Sequence, residues 1–285
     1  MSKLSRSHLP VILLAVSTWC SLGCTARDKA EGAALCVEPV VEHTSITVAG
    51  TGAALPLVRA LAQRWRAHRP TGSPIDIPGS LGSSGGVRAL RDGVIEVALI
   101  SRPLKSEERE GLVVHPLART PLVFATQGAS GGVRAQELEA IYSGVKLEWE
   151  NGRRIVPLFR EEGDSGHARI ATWRPSFGRM ASSRGMDASL GLLAYSDTQL
   201  LDALVSVDGA IGWVDLGVLS LTGAPVEPLV LDGKDPRADA EYPLWRTLYA
   251  VTREDAPEEV RELVAWMVAV VSGGQGAHSY FPPTP

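Results

Sequence analysis

Short runs of apolar residues alternate along this chain with stretches in which apolar side chains recur every three or four positions. Ser45–Ala49, Ile75–Ile77, Glu96–Ser101, Leu122–Thr126, Ile155–Arg160, Ala210–Val214 and Trp245–Thr252 have the length and character of strands. Leu55–His68 places Leu55, Val58, Leu61, Ala62 and Trp65 on one face. Glu258–Val271 does the same with Val260, Leu263, Val264, Met267 and Val271, so both stretches predict amphipathic helices. Shorter helices are predicted at Val87–Arg91, Gln136–Tyr142, Ala168–Arg174 and Asp197–Ser206, and Arg179–Asp187 reads as a loop. Strands alternating with helices predict an α/β fold of mostly parallel sheets with helices on both faces.

Three turns rich in Gly, Ser or Thr lead into helical patterns: Gly50-Thr51-Gly52-Ala53, Gly82-Ser83-Ser84-Gly85-Gly86 and Gly163-Asp164-Ser165-Gly166. The last follows Arg160. A helix start leaves backbone N–H groups without partners and carries partial positive charge, so it is a seat for anions. Glycine allows close backbone approach, and hydroxyls add donors without fixed charge. Converging on one point with one arginine, such turns would cradle a small oxyanion.

The chain has 285 residues, of which 45% are hydrophobic, enough for one large domain or two smaller ones. Its net charge of −4 gives no basic footprint for nucleic acid and no bulk attraction for anions, so anion selectivity must be local. Lys3 and Arg6 precede an apolar stretch from Leu9 to Leu22 that is short for a membrane span, which predicts an export signal over residues 1–23. Ser21-Leu22-Gly23-Cys24 resembles a bacterial lipobox, with Cys24 lipidated and residues 24–43 a flexible tether; without lipidation the chain would be periplasmic or secreted. Of the three cysteines only Cys36 would then remain free, so neither a disulfide framework nor a thiolate metal site can be built, and no cofactor or metal is expected.

Several longer segments carry a resemblance. Gly82-Ser83-Ser84-Gly85-Gly86-Val87-Arg88, Ile100-Ser101-Arg102-Pro103-Leu104, Glu137-Leu138-Glu139-Ala140-Ile141-Tyr142-Ser143-Gly144, Gly209-Ala210-Ile211-Gly212-Trp213-Val214 and Tyr242-Pro243-Leu244-Trp245-Arg246 occur in this order. Together they resemble the phosphate-type substrate-binding proteins of bacterial ABC importers, within the periplasmic binding protein superfamily. The resemblance implies two α/β lobes around a ligand cleft, lobe 1 from residues 44–122 and 243–285 and lobe 2 from 123–242. It implies an exported monomer that captures an inorganic oxyanion, phosphate foremost, for an ABC permease, touching the membrane only through its lipid anchor. Carried over by position, the ligand donors are Thr51, Gly52, Ser83, Ser84, Ser101, Arg160, Ser165 and Gly166, with Asp164 beside them. Asp164 stands where the family places a hydroxyl. It either caps its helix, the preferred reading, or faces the ligand, repelling a dianion unless it accepts the ligand's proton.

Rival motifs are weaker. Gly50–Ala53 half-matches a dinucleotide fingerprint, but Leu55 stands at the third glycine position. Gly163-Asp164-Ser165-Gly166 echoes the trypsin-like nucleophile motif without its histidine context, and His167 is expected at the surface or at the helix cap. Gly82–Gly86 fits Gly-x-Ser-x-Gly, so a hydrolase with Ser84 as nucleophile and a late histidine such as His278 is the enzymatic alternative. The other alternative is a binding fold that has lost its ligand.

Overall fold

The computed structural model describes residues 45–127, 131–183, 185–276 and 279–283. Residues 1–23 and 24–43, for which the sequence predicts an export signal and a tether carrying Cys24 and Cys36, lie outside the described residues, as does His278. In chain order the elements are β1 (Ile46–Gly50), α1 (Leu55–His68), β2 (Ile75–Asp76), α2 (Gly82–Arg91), β3 (Val97–Ile100), β4 (Leu112–Thr126), β5 (Gly132–Val133) and α3 (Ala135–Tyr142). There follow β6 (Val156–Arg160), α4 (Ser165–Trp173), α5 (Pro175–Met180), β7 (Leu192–Ala194), α6 (Asp197–Ser206), β8 (Ala210–Asp215) and α7 (Leu216–Thr222). β9 (Glu227–Pro228), β10 (Val230–Leu231), β11 (Trp245–Arg253) and α8 (Glu258–Val270) complete the fold.

One sheet runs in the order β2-β1-β3-β11-β4-β8-β6-β7, with β9 beside the end of β4, while β5 pairs with β10. Pairing is parallel at both outer ends and antiparallel where β3, β11, β4 and β8 meet. β4 is the element that joins the halves: Leu112–Pro121 pairs with β11, and Leu122–Thr126 pairs with β8. The chain returns beside the same point, where the Leu122 N–H donates to the Leu244 carbonyl at 2.7 Å and the Tyr242 hydroxyl donates to the Leu122 carbonyl at 3.0 Å.

Burial follows this division. One core draws only on residues between Leu122 and Leu244 and is built around Phe124, Tyr142, Phe159, Phe177 and Trp213. A second packs α1 and α8 against β1, β3 and β11, with a satellite under α2. The molecule is therefore two-lobed. All these elements and cores lie in one compact unit, His43–Pro285, which carries its own apolar interior.

The structure extends several expected elements. α2 begins at Gly82 rather than Val87 and α4 at Ser165 rather than Ala168, so the Gly- and Ser-rich turns are themselves first helical turns. In α2 the glycines permit packing: a Cβ on Gly86 would stand 2.9 Å from the Gly50 Cα, and Gly50, at φ 143°, lies against the Leu99 backbone. β4 is longer than the predicted Leu122–Thr126, and Pro116 and Pro121 are tolerated within it, a register shift in β11 between Leu248 and Tyr249 marking the irregularity. The predicted loop Arg179–Asp187 opens inside α5, and its Ser182 bridges to Arg160. β7 and α7 carry no period that the sequence pattern exposes.

Candidate functional site

The first turns of α2, α4 and α6 and the turn after β1 line one cleft of about 410 Å³ between the lobes. At its floor four hydroxyls meet. Ser101 Oγ lies 3.0 Å from Thr51 Oγ1, 3.4 Å from Ser83 Oγ and 2.7 Å from Ser165 Oγ. The Ser101 N–H also donates to Ser83 Oγ at 3.1 Å. Thr51, Ser83 and Ser101 are buried residues of lobe 1, whereas Ser165 opens α4 in lobe 2, so the cluster spans the cleft. Each hydroxyl both donates and accepts, and can turn its proton to suit an oxyanion.

Arg160 ends β6 with its side chain 5% exposed. Its Nη2 donates to Asp164 Oδ2 at 2.6 Å and lies 3.5 Å from Asp197 Oδ1, while Nη1 reaches the Ala194 carbonyl at 3.4 Å. Asp164 fulfils two roles. Oδ1 caps α4 by accepting from the His167 N–H at 2.9 Å, and Oδ2 takes the ion pair. The capping reading of Asp164 is met by Oδ1, while Oδ2 is taken up by Arg160, so the arginine is not a bare cation. Asp197 reaches across from the start of α6 to accept the Gly52 N–H of lobe 1; a Cβ on Gly52 would stand 2.5 Å from its Oδ2.

The two carboxyls are pushed apart. Burial works to raise that of Asp164, but the charge and hydrogen bond of Arg160, then Arg246 and the His167 N–H, outweigh it and hold the group below the ordinary carboxylate range. Asp197 is raised, first by burial and then by the Asp164 charge, against the pull of Arg160 and Arg246. Arg160 keeps its proton more firmly than usual, because the two carboxylates outweigh its own burial. A second arginine stands behind: Arg246 Nη2 bonds Asp215 Oδ2 at 2.9 Å, both side chains nearly fully buried. Arg246 Nη1 and Trp213 Nε1 pack beneath Gly166, whose Cβ would come within 2.8 and 3.1 Å of them. Burial lifts the Asp215 carboxyl to about 7, with Arg246 opposing and Asp197 and Asp164 adding to the rise.

Of the residues singled out from the sequence, Thr51, Ser83, Ser84, Arg160, Asp164 and Ser165 line the cleft. Ser101 sits at the centre of the hydroxyl cluster. Gly52 meets Asp197, and Gly166 covers Arg246. Ser84 is set apart from the cluster: its hydroxyl accepts from Arg102 at 3.1 Å, and Arg102 is held by both carboxylate oxygens of Glu108. Its hydrogen-bonding neighbour is a guanidinium, and the proposed base His278 lies outside the described residues. His167 is buried rather than at the surface, its Nε2 2.6 Å from the Gly178 carbonyl. Sequence reasoning missed Asp197, Arg246 and Asp215. One signal pointed to the first: Ser196 caps α6 through the Gln199 N–H, and Gln199 Oε1 accepts from the Tyr195 N–H, a helix entrance of the same kind as the others.

The fold and this cleft agree with three likenesses. Among curated relatives, the phosphate-binding protein PstS of Bacillus subtilis is 26% identical, over 78% of this chain and 75% of its own length. Among solved structures, a putative phosphate ABC transporter substrate-binding protein with bound phosphate from Clostridium perfringens superposes with a TM-score of 0.66 at 18% identity, covering 82% of this chain and 99% of its own. An ABC-type phosphate transport receptor from Vibrio cholerae gives 0.56 at 19% identity, covering 84% of this chain and 100% of its own. The family described as the PBP superfamily domain matches residues 38–270, most of the chain and every element lining the cleft, and the chain belongs to that superfamily.

Proposed function

We propose that this chain is an extracytoplasmic solute-binding protein that captures an inorganic oxyanion, phosphate, between its lobes and delivers it to an ABC-type permease, without covalent chemistry. The observation that carries this reading is the meeting of the Thr51, Ser83, Ser101 and Ser165 hydroxyls from both lobes in the cleft that Arg160 also lines. Hydroxyls and main-chain donors can replace the hydration of a small anion, and a domain interface that closes lets both halves contribute. The likeness to PstS and to the phosphate-bound structure supports the choice of anion.

The charges in the cleft also favour phosphate over sulfate. Arg160 is offset by Asp164, so the seat carries little excess positive charge. Asp197, between Arg160 and the Gly52 N–H, is a carboxyl poised to accept a proton from the ligand. Phosphate carries such a proton near neutral pH; sulfate does not, and would meet unrelieved carboxylate charge. In this reading residues 1–23 direct export, Cys24 carries the lipid, 24–43 form the tether, and the lobes are 44–122 with 243–285 and 123–242. The protein acts as a periplasmic-side monomer. Calorimetric titration with phosphate, arsenate, sulfate and molybdate tests the function: phosphate and arsenate should bind and sulfate should not. Absence of heat and of any rise in melting temperature with all four anions would leave a binding fold without this ligand.

A further inference from the structure

Away from the cleft, α1 and β2 enclose a groove of about 550 Å³ at the edge of the sheet. Its floor is Trp65, Ile75 and Ile77, and Arg59, Arg66 and Arg69 stand around it. α1 and its C-cap hold four arginines and no acidic residue, in a chain whose net charge is −4. Among the described residues, Arg59, Arg64 and Arg66 have no carboxylate partner. Arg59 reaches the Pro78 carbonyl only at 3.5 Å, and Arg64 bonds the neutral oxygens of Gln275. Of the acids on the adjoining segments, Glu262 pairs with Arg69 and Glu259 accepts from the Ser73 N–H and hydroxyl, while Asp76 of β2 is exposed between Ile75 and Ile77. Trp266, partly exposed, packs edge-on against Trp65 at 5.3 Å with Arg64 5.9 Å from its ring, so the basic surface is bordered by an indole.

The path of the chain singles out this face. The Ile46 N–H donates to the Pro74 carbonyl at 2.8 Å and Ile46 is in register with Ile75; Pro74 and Ile75 are themselves walls of the groove. The polypeptide thus enters its folded unit on the rim of the arginine groove, directly after the segment that leads from Cys24.

We infer that the α1–β2 face is a membrane-docking surface that takes the headgroups of anionic phospholipids, with the arginines on the phosphates and the indole at the interface. Guanidinium groups over an apolar floor with an aromatic border match a bilayer surface of negative charge. The choice of a bilayer over an acidic protein rests on the lipid-anchor reading of Cys24. The docking surface itself is independent of the oxyanion cleft.

The test uses the unit His43–Pro285, which has its own cores and no lipid, in co-sedimentation with vesicles of phosphatidylcholine alone or mixed with phosphatidylglycerol. Binding is expected to the mixed vesicles only, and to be lost at high salt through screening. Arg59→Gln, Arg66→Gln and Arg69→Gln together should weaken it at least about tenfold, and Arg66→Gln alone should weaken it measurably. Arg237→Gln, in an exposed arginine of the other lobe, should leave it unchanged. An unaltered melting temperature and phosphate titration in the arginine variants shows that they are folded and separates this result from any failure of the cleft. No sedimentation, equal sedimentation with both vesicles, or unchanged binding by the triple variant would overturn the inference. So would binding of poly-glutamate by the groove without vesicle binding, which would assign the face to an acidic protein partner.

Discussion

Asp164 and Asp197 divide between them what a single acid could not do. Asp164 stays ionised and holds Arg160 and the start of α4, whereas Asp197 is the more easily protonated group. Asp164→Asn keeps a good cap but frees the guanidinium, so affinity for phosphate dianion should rise in calorimetry. Asp197→Asn removes the ionisable acceptor and should narrow the preference for phosphate over sulfate in the same titration. Arg160→Gln should cost about 2–3 kcal/mol of phosphate binding, as for loss of a charge-assisted contact; unchanged affinity would exclude the proposed seat. Asp215 gives a pH signature. Its unfolded value is about 3.9, while the folded carboxyl keeps its proton up to about 7. Its stabilising contribution is therefore complete below the unfolded value and is lost as pH rises through the folded one. Thermal melts between about pH 5 and about pH 8 should show a smaller loss of stability with rising pH in Asp215→Asn than in the parent.

At the scale of elements, the glycines of the ligand turns work as spacers between pieces of protein. Gly86 faces Gly50 so that α2 can lie against β1, and Gly52 yields to Asp197 so that α6 can touch the opposite lobe. Gly86→Ala should lower stability by about 1–3 kcal/mol in urea unfolding, the cost of overpacking where only backbone could move aside. The sequence pattern revealed the turns because Gly, Ser and Thr cluster there, but assigned the glycines to the ligand, since proximity between distant elements leaves no local mark. The amphipathic period made α1 and α8 visible for the same reason that it makes them stable: one face is buried. The first half of β4 escaped notice because His115, Pro116, Arg119 and Pro121 break the apolar run, although β11 pairs along it. Asp197 was legible only as a helix start. Its function comes from the Gly52 N–H, 145 positions earlier, and from Arg160.

For the whole molecule, the contacts between lobes are polar at the cleft, whereas nearer the crossovers Arg246 pairs with Asp215, Gly217 packs on the Tyr280 ring and Leu221 of α7 packs against the core of α1 and α8. Ser101 meets Ser165, and Gly52 meets Asp197, while each lobe keeps its own apolar core. The polar seam at the cleft, where hydroxyls and carboxyls of the two lobes meet, suits capture and release. Phosphate that bridges it should stabilise the folded state by mass action, by about 2.7 kcal/mol at a hundredfold excess over Kd, read as a rise in melting temperature that sulfate does not reproduce.

The uninterrupted run of β4 through both halves has a further consequence. Its first ten positions serve one interior and its last five the other, so neither half can be excised with a complete set of strand partners. Capture of an anion can swing the halves about this shared girder, yet melting either one must unzip the other's central ladder. Cutting the chain within the girder would dismantle both together.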